Sequence, residues 1–538
     1  MQLNERFSAG YASGRNHLRH AWSFHALRTS WCYALMLAGW WAGCVVGADP
    51  EQADSKTMLP CEIQIDDQRG QPTACMVFLE DSAGQPVQPE GVPFWKDHFA
   101  CSGRLSITLP AGRYRYAIER GPEYESVEGA WDVSPGSSGE PRRLSVRLAR
   151  IVDLAEQGWY GGDLHIHRPY DQAPWLLGAS DLYVGPFITW WNATNIWSPG
   201  SLPENDLRHT EDGRFYELLA GEDERGGGAL LFFHLHRPID ITGASREYPA
   251  SVRYLRQAKR LNPGCHVDVE KPFWRDVPLW LASGQVDSIG IAHNHLWREG
   301  VLDNEAWGRP RDVKQWPAPH GNGLWTQHLY YQVLNAGFRI PPSAGSASGV
   351  LPNPVGYNRC YVHLDDGMDY WKWWEGLRAG RVFVTNGPLL LATVNGQRAG
   401  SVLAASGELR IQGRLHSREP IRQLQVIRNG SVVKEIPVAN HRDQAFDVTL
   451  PSDQPGWVLL RAITTNDQTF RFASTAPFYL VDASGQQSVD PTAVAFFLRW
   501  ARERREQLTQ ELSGDEKEEV LAAQDSAIDF WKRRSGDQ

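Results

Sequence analysis

Five times between Glu156 and Pro388 a strand-like run of the chain ends in a cluster of ionisable residues: YGGDLHIHRP, YELLAGED, ALLFFHLHRP, HVDVEKPFW and VDSIGIAHNH. Amphipathic stretches such as SVRYLRQAKRL and YWKWWEGLRAG are interspersed with them. Strands alternating with helices specify an α/β domain, and the polar residues gather at the ends of its strands.

Three of these clusters carry a His-x-His pair: His165 and His167, His234 and His236, His293 and His295. On an extended strand residues i and i+2 face the same way, about 6–7 Å apart, so both imidazoles of a pair can meet one ion or bridge two. As core histidines each would need its own hydrogen-bond partner. A shared divalent metal is the more economical account, with Glu222 and Glu270 as strand-end carboxylates. The expected ligands are therefore His165, His167, Glu222, Glu270, His293, His295 and His234.

The flanks are patterned differently. From Cys61 to Leu148 short alternating runs (CEIQI, CMVFLE, RLSITL, YRYAIE, RRLSVRL) are separated by Gly/Pro turns, as in a small β-sandwich. The phrase LPAGRYRYAIERGPEYE resembles transthyretin-like or carboxypeptidase-regulatory-like β domains. A second sandwich is expected from Leu389 to about Val481 (LLLATV, ELRIQGRL, RQLQVIRN, AFDVTL, WVLLRAI, APFYLV). In the tail, Asp490-Pro491 supplies an N-cap and first-turn proline, and Ser513 with Glu516 forms a capping-box pattern, so a helical hairpin follows. Its stripe of Val520, Ala523, Ala527 and Trp531 packs on the body or serves as an oligomer contact.

Residues 1–28 carry four Arg against one Glu and precede the uncharged, centrally apolar stretch Thr29–Ala48. This is a signal-peptide layout with cleavage after Ala48; an uncleaved anchor or a lipoprotein signal competes. The chain is thus expected to be secreted or periplasmic, without membrane association beyond its export signal. The expected division is 1–48 leader, 49–154 β-sandwich, 155–388 metal-site domain, 389–484 second β-sandwich and 485–538 helical tail. Loss of the leader removes four Arg and one Glu and moves the net charge from −9 to −12, which excludes nucleic acid as a natural partner. Of seven Cys, Cys32 and Cys44 lie in the leader; the others form no CxxC pair, and export permits a disulfide among Cys61, Cys75 and Cys101.

GDLHIHRP, the later strand ends and the phrase GFRIPPSAGSASGVLPNPVGYNRCYVHLDDGMDYWKWWEGLRAGRVFVTNGPLL resemble the carbaryl-hydrolase (CehA/McbA) branch of the polymerase-and-histidinol-phosphatase (PHP) metallohydrolases, over roughly 159–390. The resemblance implies a distorted (β/α)7 barrel with two or three divalent ions at its strand ends and a bridging water that attacks a phosphoester, carboxylester or carbamate. His165 and His167 match its first ligand pair and Glu222 its acidic ligand, while Glu270 stands where a His is usual. Two departures each remove a carboxylate: Trp190-Trp191-Asn192 replaces Asp-His-Asn, and Gly345-Ser346-Ala347 replaces Gly-Ser-Asp. One or two ions (Zn, Mn or Mg) are therefore expected.

Catalysis would be metal-assisted hydrolysis of a small-molecule or glycan substrate, with Glu222 or Glu270 binding metal or acting as base and Arg168 or Arg237 holding an oxyanion. The competing readings are a degenerate PHP-like protein that binds a ligand such as a glycan, and a structural surface protein. Of the 23 Trp, twelve fall in three clusters, Trp190, Trp191 and Trp197, then Trp274, Trp280, Trp297, Trp307, Trp316 and Trp325, then Trp371, Trp373 and Trp374; several lie in loops expected at the site rim, where they serve as ligand-stacking walls or as core.

Overall fold

The computed structural model describes residues 57–136, 140–198 and 200–536; the expected leader lies outside them. Within them the chain is a mixed α/β structure, and no helix is long and apolar enough to cross a membrane. Its first layer is β throughout. Met58–Asp66 pairs with Arg104–Pro110 and Arg142–Arg147, and faces a five-stranded sheet in the order Phe94–Trp95, His98–Cys101, Cys75–Glu80, Gly112–Glu119, Val127–Val133. The inward residues of both sheets, among them Ile63, Val77, Phe99 and Ile118, form one apolar core.

In the central region seven segments lie side by side: Trp159–Gly162, Val184–Trp191, Phe215–Arg225, Gly228–Phe233, His266–Val269, Ser288–Ala292 and Pro342–Ala344. All neighbours pair in parallel except those of Gly228–Phe233, which returns antiparallel after the turn at Gly226-Gly227. The segment after Gly162 closes the row into a ring. Ile166 bridges Phe187 on one side and Ser348 on the other, Leu164 N–H donates to the Ala344 carbonyl at 3.0 Å, and His167 N–H donates to that of Ser348 at 2.7 Å. The stretch read as a metal motif is thus the stave that completes the ring.

Helix crossovers are fewer than a sevenfold strand–helix repeat requires. Ala173–Ser180, Val252–Leu261, Val277–Ser283 and Gly321–Asn335 connect ring strands. Val184–Trp191 instead reaches Phe215–Arg225 through the short strands Thr194–Asn195 and Leu207–His209.

The expected border at 388/389 is not a break in the sheet. Arg359–His363 pairs with the opening ring strand Trp159–Gly162 and with Val382–Thr385, which in turn pairs with Phe472–Thr475 of the C-terminal β region. A second, four-stranded sheet there holds Gln397–Arg398, Leu389–Val394, Glu408–His416 and Gln444–Pro451.

The tail is the helical pair Pro491–Glu511 and Gly514–Ser535. Asp490 caps the first helix, its carboxylate accepting from Thr492 N–H at 2.8 Å. Ser513 sits at the second N-cap but makes no side-chain capping bond, so the capping-box expectation is not realised. Val520, Ala527 and Trp531 are buried, and the Trp531 indole N–H donates to the Pro278 carbonyl at 3.0 Å, so the stripe packs on the body. Buried Arg504 ties the first helix to Asp276 (2.8 Å) and Glu247. Arg504→Ala removes the buried guanidinium that both carboxylates share, leaving Asp276 with the Gln524 amide at 3.2 Å, and is expected to cost about 3–5 kcal/mol in urea unfolding, whereas Arg505→Ala, at an exposed pair with Asp525, changes the midpoint little.

Candidate metal centre

Closure of the ring fixes His165 and His167. The chain can pass this close to its neighbours because Gly345 and Gly349 lack side chains: a Cβ at Gly345 would lie 2.4 Å from the His165 Cβ, and one at Gly349, whose φ is +103°, 2.6 Å from the His167 carbonyl carbon. Asp163, fully buried, anchors the same turn. Its carboxylate accepts from the backbone N–H groups of His165 and Ser346, both at 3.0 Å, and of Gly356 at 2.7 Å.

Within this frame three donors converge. The Nε2 atoms of His165 and His167 are 2.9 Å apart, and Glu222 Oε2 lies 3.3 Å from the first and 3.1 Å from the second. Among the described residues this is the group with the mutual spacing of metal ligands. His165 and Glu222 are buried and His167 is partly so, and such a donor set of two imidazoles and one carboxylate suits a divalent cation.

Glu270 stands behind this group. Its Oε1 is 3.6 Å from His165 Nδ1, the nitrogen that points away from Glu222, and both atoms are buried without a hydrogen-bond partner. Its Oε2 is taken by the Lys271 ammonium and by the Trp274 indole N–H at 3.0 Å. Glu270 thus stands behind the ring of a candidate ligand, on the side from which a carboxylate orients a metal-binding histidine.

Charge is distributed accordingly. Burial disfavours a charged His165, but Glu222 and then Glu270 outweigh it and raise its pKa to about 10. Burial keeps His167 below its ordinary value, helped by the charge on His165 against the pull of Glu222. Against its own burial, Glu222 is held down to about 2 by His165 and His167. Glu270 is lowered despite burial, first by Lys271 and then by His165. A proton on His165, between two carboxylates, thus supplies the positive charge that a cation would bring.

The other expected residues are placed elsewhere. His234, in the left-handed region at φ +59°, is ringed by Tyr370, Trp371 and Trp374; burial and neighbouring His266 lower its pKa to about 3. His293 Nε2 is 2.8 Å from Thr326 Oγ1, and His295 Nδ1 is 3.0 Å from the Asn304 carbonyl oxygen. Burial and the Lys271 charge depress both rings. His293 and His295 have thus found the separate partners that the shared-metal argument denied them, whereas both His234 ring nitrogens are buried without a hydrogen bond among the surrounding aromatic rings. Arg168 donates to the Phe94 carbonyl at 3.1 Å and to Gln172 Oε1 at 2.8 Å, which places its guanidinium against the N-terminal sheet.

Sequence reading passed over several residues. Glu224 follows Glu222 by two on the same strand, the period-two signal for a shared face. Burial and then Glu222 push its carboxyl up to about 8, and Asn192 clamps its backbone at 2.8 Å in both directions. Lys271 carried no pattern signal. The indole of Trp191, in register with Glu222, packs 4.9 Å from the His167 ring. Trp190 covers Gly221, where a Cβ would lie 1.8 Å from its ring. Most other singled-out Trp, including Trp274, Trp280, Trp373 and Trp374, are core. Trp197 instead joins Tyr170, Asp171, Arg208 and Tyr216 around an open cleft of about 390 Å³.

No family model matches the chain, and no curated protein matches it.

Proposed function

We propose that the chain is a metal-dependent hydrolase of the PHP type, related to its carbaryl-hydrolase branch, acting on an ester, phosphoester or carbamate with one bound divalent cation. The observation that carries this reading is the buried triangle of His165 Nε2, His167 Nε2 and Glu222 Oε2, with no edge longer than 3.3 Å. A single ion is favoured because Glu270 is engaged by Lys271 and Trp274, and because tryptophans stand at Trp190 and Trp191. Two nitrogens and one carboxylate favour zinc or manganese over magnesium. A cation in such a site lowers the pKa of bound water to about 7 and polarises the scissile group. Glu270 holds the His165 ring in orientation, and Glu224 is the carboxyl placed to exchange a proton with the reacting groups.

Metal analysis of the purified protein should find about one equivalent of zinc or manganese, with metal-stimulated turnover in a screen of aryl esters, phosphoesters and carbamates. Absence of both results sinks the proposal. Glu224→Gln is expected to lower kcat by about 100-fold or more with metal content unchanged, the size of a general acid–base contribution.

A second reading, a non-catalytic PHP-like protein that binds a glycan, is motivated by the carboxylate lost at Trp190 and by the open cleft around Tyr170 and Trp197. Glycan binding that survives His165→Ala with His167→Ala, without turnover in the parent, would select it.

A further inference from the structure

We propose that Cys75 and Cys101 are joined by a disulfide that braces the Phe94–Cys101 hairpin against the loops of the candidate metal centre. The bond does not rest on the metal reading. Cys75 in strand Cys75–Glu80 and Cys101 in strand His98–Cys101 are directly opposed antiparallel partners. Such partners place their Cα atoms about 4.5–5.5 Å apart, within the range of about 4.4–6.8 Å that a disulfide spans. Both side chains are buried in the same core as Cys61 and stand there as free thiols close enough to perturb each other. Their mutual contact splits the pair: burial and then Cys101 raise Cys75, whereas Cys75 lowers Cys101.

Sequence alone left three pairings open among Cys61, Cys75 and Cys101. Cys61 is on the facing sheet, and its thiol donates to the Leu59 carbonyl at 3.4 Å. Cys265 and Cys360 lie in the central region. The pairing is thereby decided, and Cys61 remains a thiol.

The bond's position gives it a purpose. The hairpin that it ties to the neighbouring strand carries Phe94 and Trp95. The Phe94 carbonyl accepts from Arg168, the residue after His167, and the Trp95 indole N–H donates to the Leu351 carbonyl at 2.8 Å. Leu351 follows Ser348, whose carbonyl receives the His167 N–H. Securing Cys101 to Cys75 therefore secures the strap that spans both loops around His167.

Formation needs a disulfide oxidant. Two thiols give up two protons and two electrons as the S–S bond forms, and one oxidised glutathione takes them up to become two glutathione thiols. Because the pair is buried, exchange belongs to the folding stage.

The full chain, refolded from denaturant in mixed oxidised and reduced glutathione, is alkylated in denaturant without reductant and digested. The expected result is a crosslinked peptide pair containing Cys75 and Cys101, with Cys61 alkylated. Alkylation of both Cys75 and Cys101, or a crosslink to Cys61, overturns the pairing. Cys61→Ser must keep the crosslink, a control that needs no change at the pair itself. For the brace, reduction should speed hydrogen exchange across 94–101 in the parent but leave a Cys75→Ser, Cys101→Ser double variant unchanged. Equal exchange in the oxidised and reduced parent overturns it.

Discussion

Alanine at His167 is expected to weaken zinc binding by at least about 1,000-fold, because it removes one of three donors and outer-shell partners alone are worth about 10–100-fold. His167 Nε2 is within 3.1 Å of both His165 Nε2 and Glu222 Oε2, and no neighbouring imidazole can replace it: His234, His293 and His295 are each held in other surroundings. Glu270→Gln should fall in the smaller range, since Glu270 bears on the rear nitrogen of His165. Competition against a chelator of known affinity measures both. Chelation should also lower the thermal midpoint of the parent and leave that of His167→Ala unmoved, as follows when an ion stabilises only the folded state that binds it. A loss at Glu270→Gln as large as at His167→Ala would make Glu270 a ligand and reopen a two-ion site. Undiminished binding by His167→Ala would remove the centre altogether.

The legible part of this site was the part written in strand periodicity. His165 and His167 share a face because they are two apart, and Glu222 ends an apolar run, so all three could be named from pattern. The same pattern overreached at His234, His293 and His295. Strand-end histidines resemble one another in sequence, and only the fold decides whether a ring meets its counterparts or a threonine hydroxyl, a backbone carbonyl or an indole cage. Glu270 was nameable from its strand end, but its engagement by Lys271 and Trp274 was not, because they reach it through rotamers and a turn that no spacing encodes. The α/β centre, the flanking β regions and the helical pair were all legible. The sheet continuity through Val382–Thr385 was not, because a strand's second partner lies far away in sequence. Ring closure likewise depends on bridges from Ile166 to residues in two different segments.

Zinc binding is expected to release at least one proton and to strengthen about tenfold per pH unit at pH 6.5, and more steeply towards pH 8 as the metal-bound water also ionises near 7. In the zinc-free protein His165 holds its proton up to about 10, His167 is already neutral, and Glu222 is ionised down to about 2. The cation must therefore displace the His165 proton, and its apparent affinity rises one logarithmic unit per pH unit while that proton remains bound. Histidines at their ordinary value of about 6.5 would cease to contribute above pH 7, leaving the bound water's rise alone. Calorimetry in buffers of different ionisation enthalpy counts the protons, and a flat affinity across this range would contradict the charge assignment. The stability of the zinc-free protein should run the other way. The folded His165 pKa lies above its ordinary 6.5, so its contribution is complete below 6.5 and is lost as pH rises through about 10. The folded Glu222 pKa lies below its ordinary 4.5, so its contribution is complete above 4.5 and is lost as pH falls through about 2. Both contributions are intact only between about 4.5 and 6.5. Raising the pH from 6 to 8.5 should thus weaken the pair's contribution without zinc and increase the stabilisation gained on adding it, and Glu222→Gln should flatten both dependences.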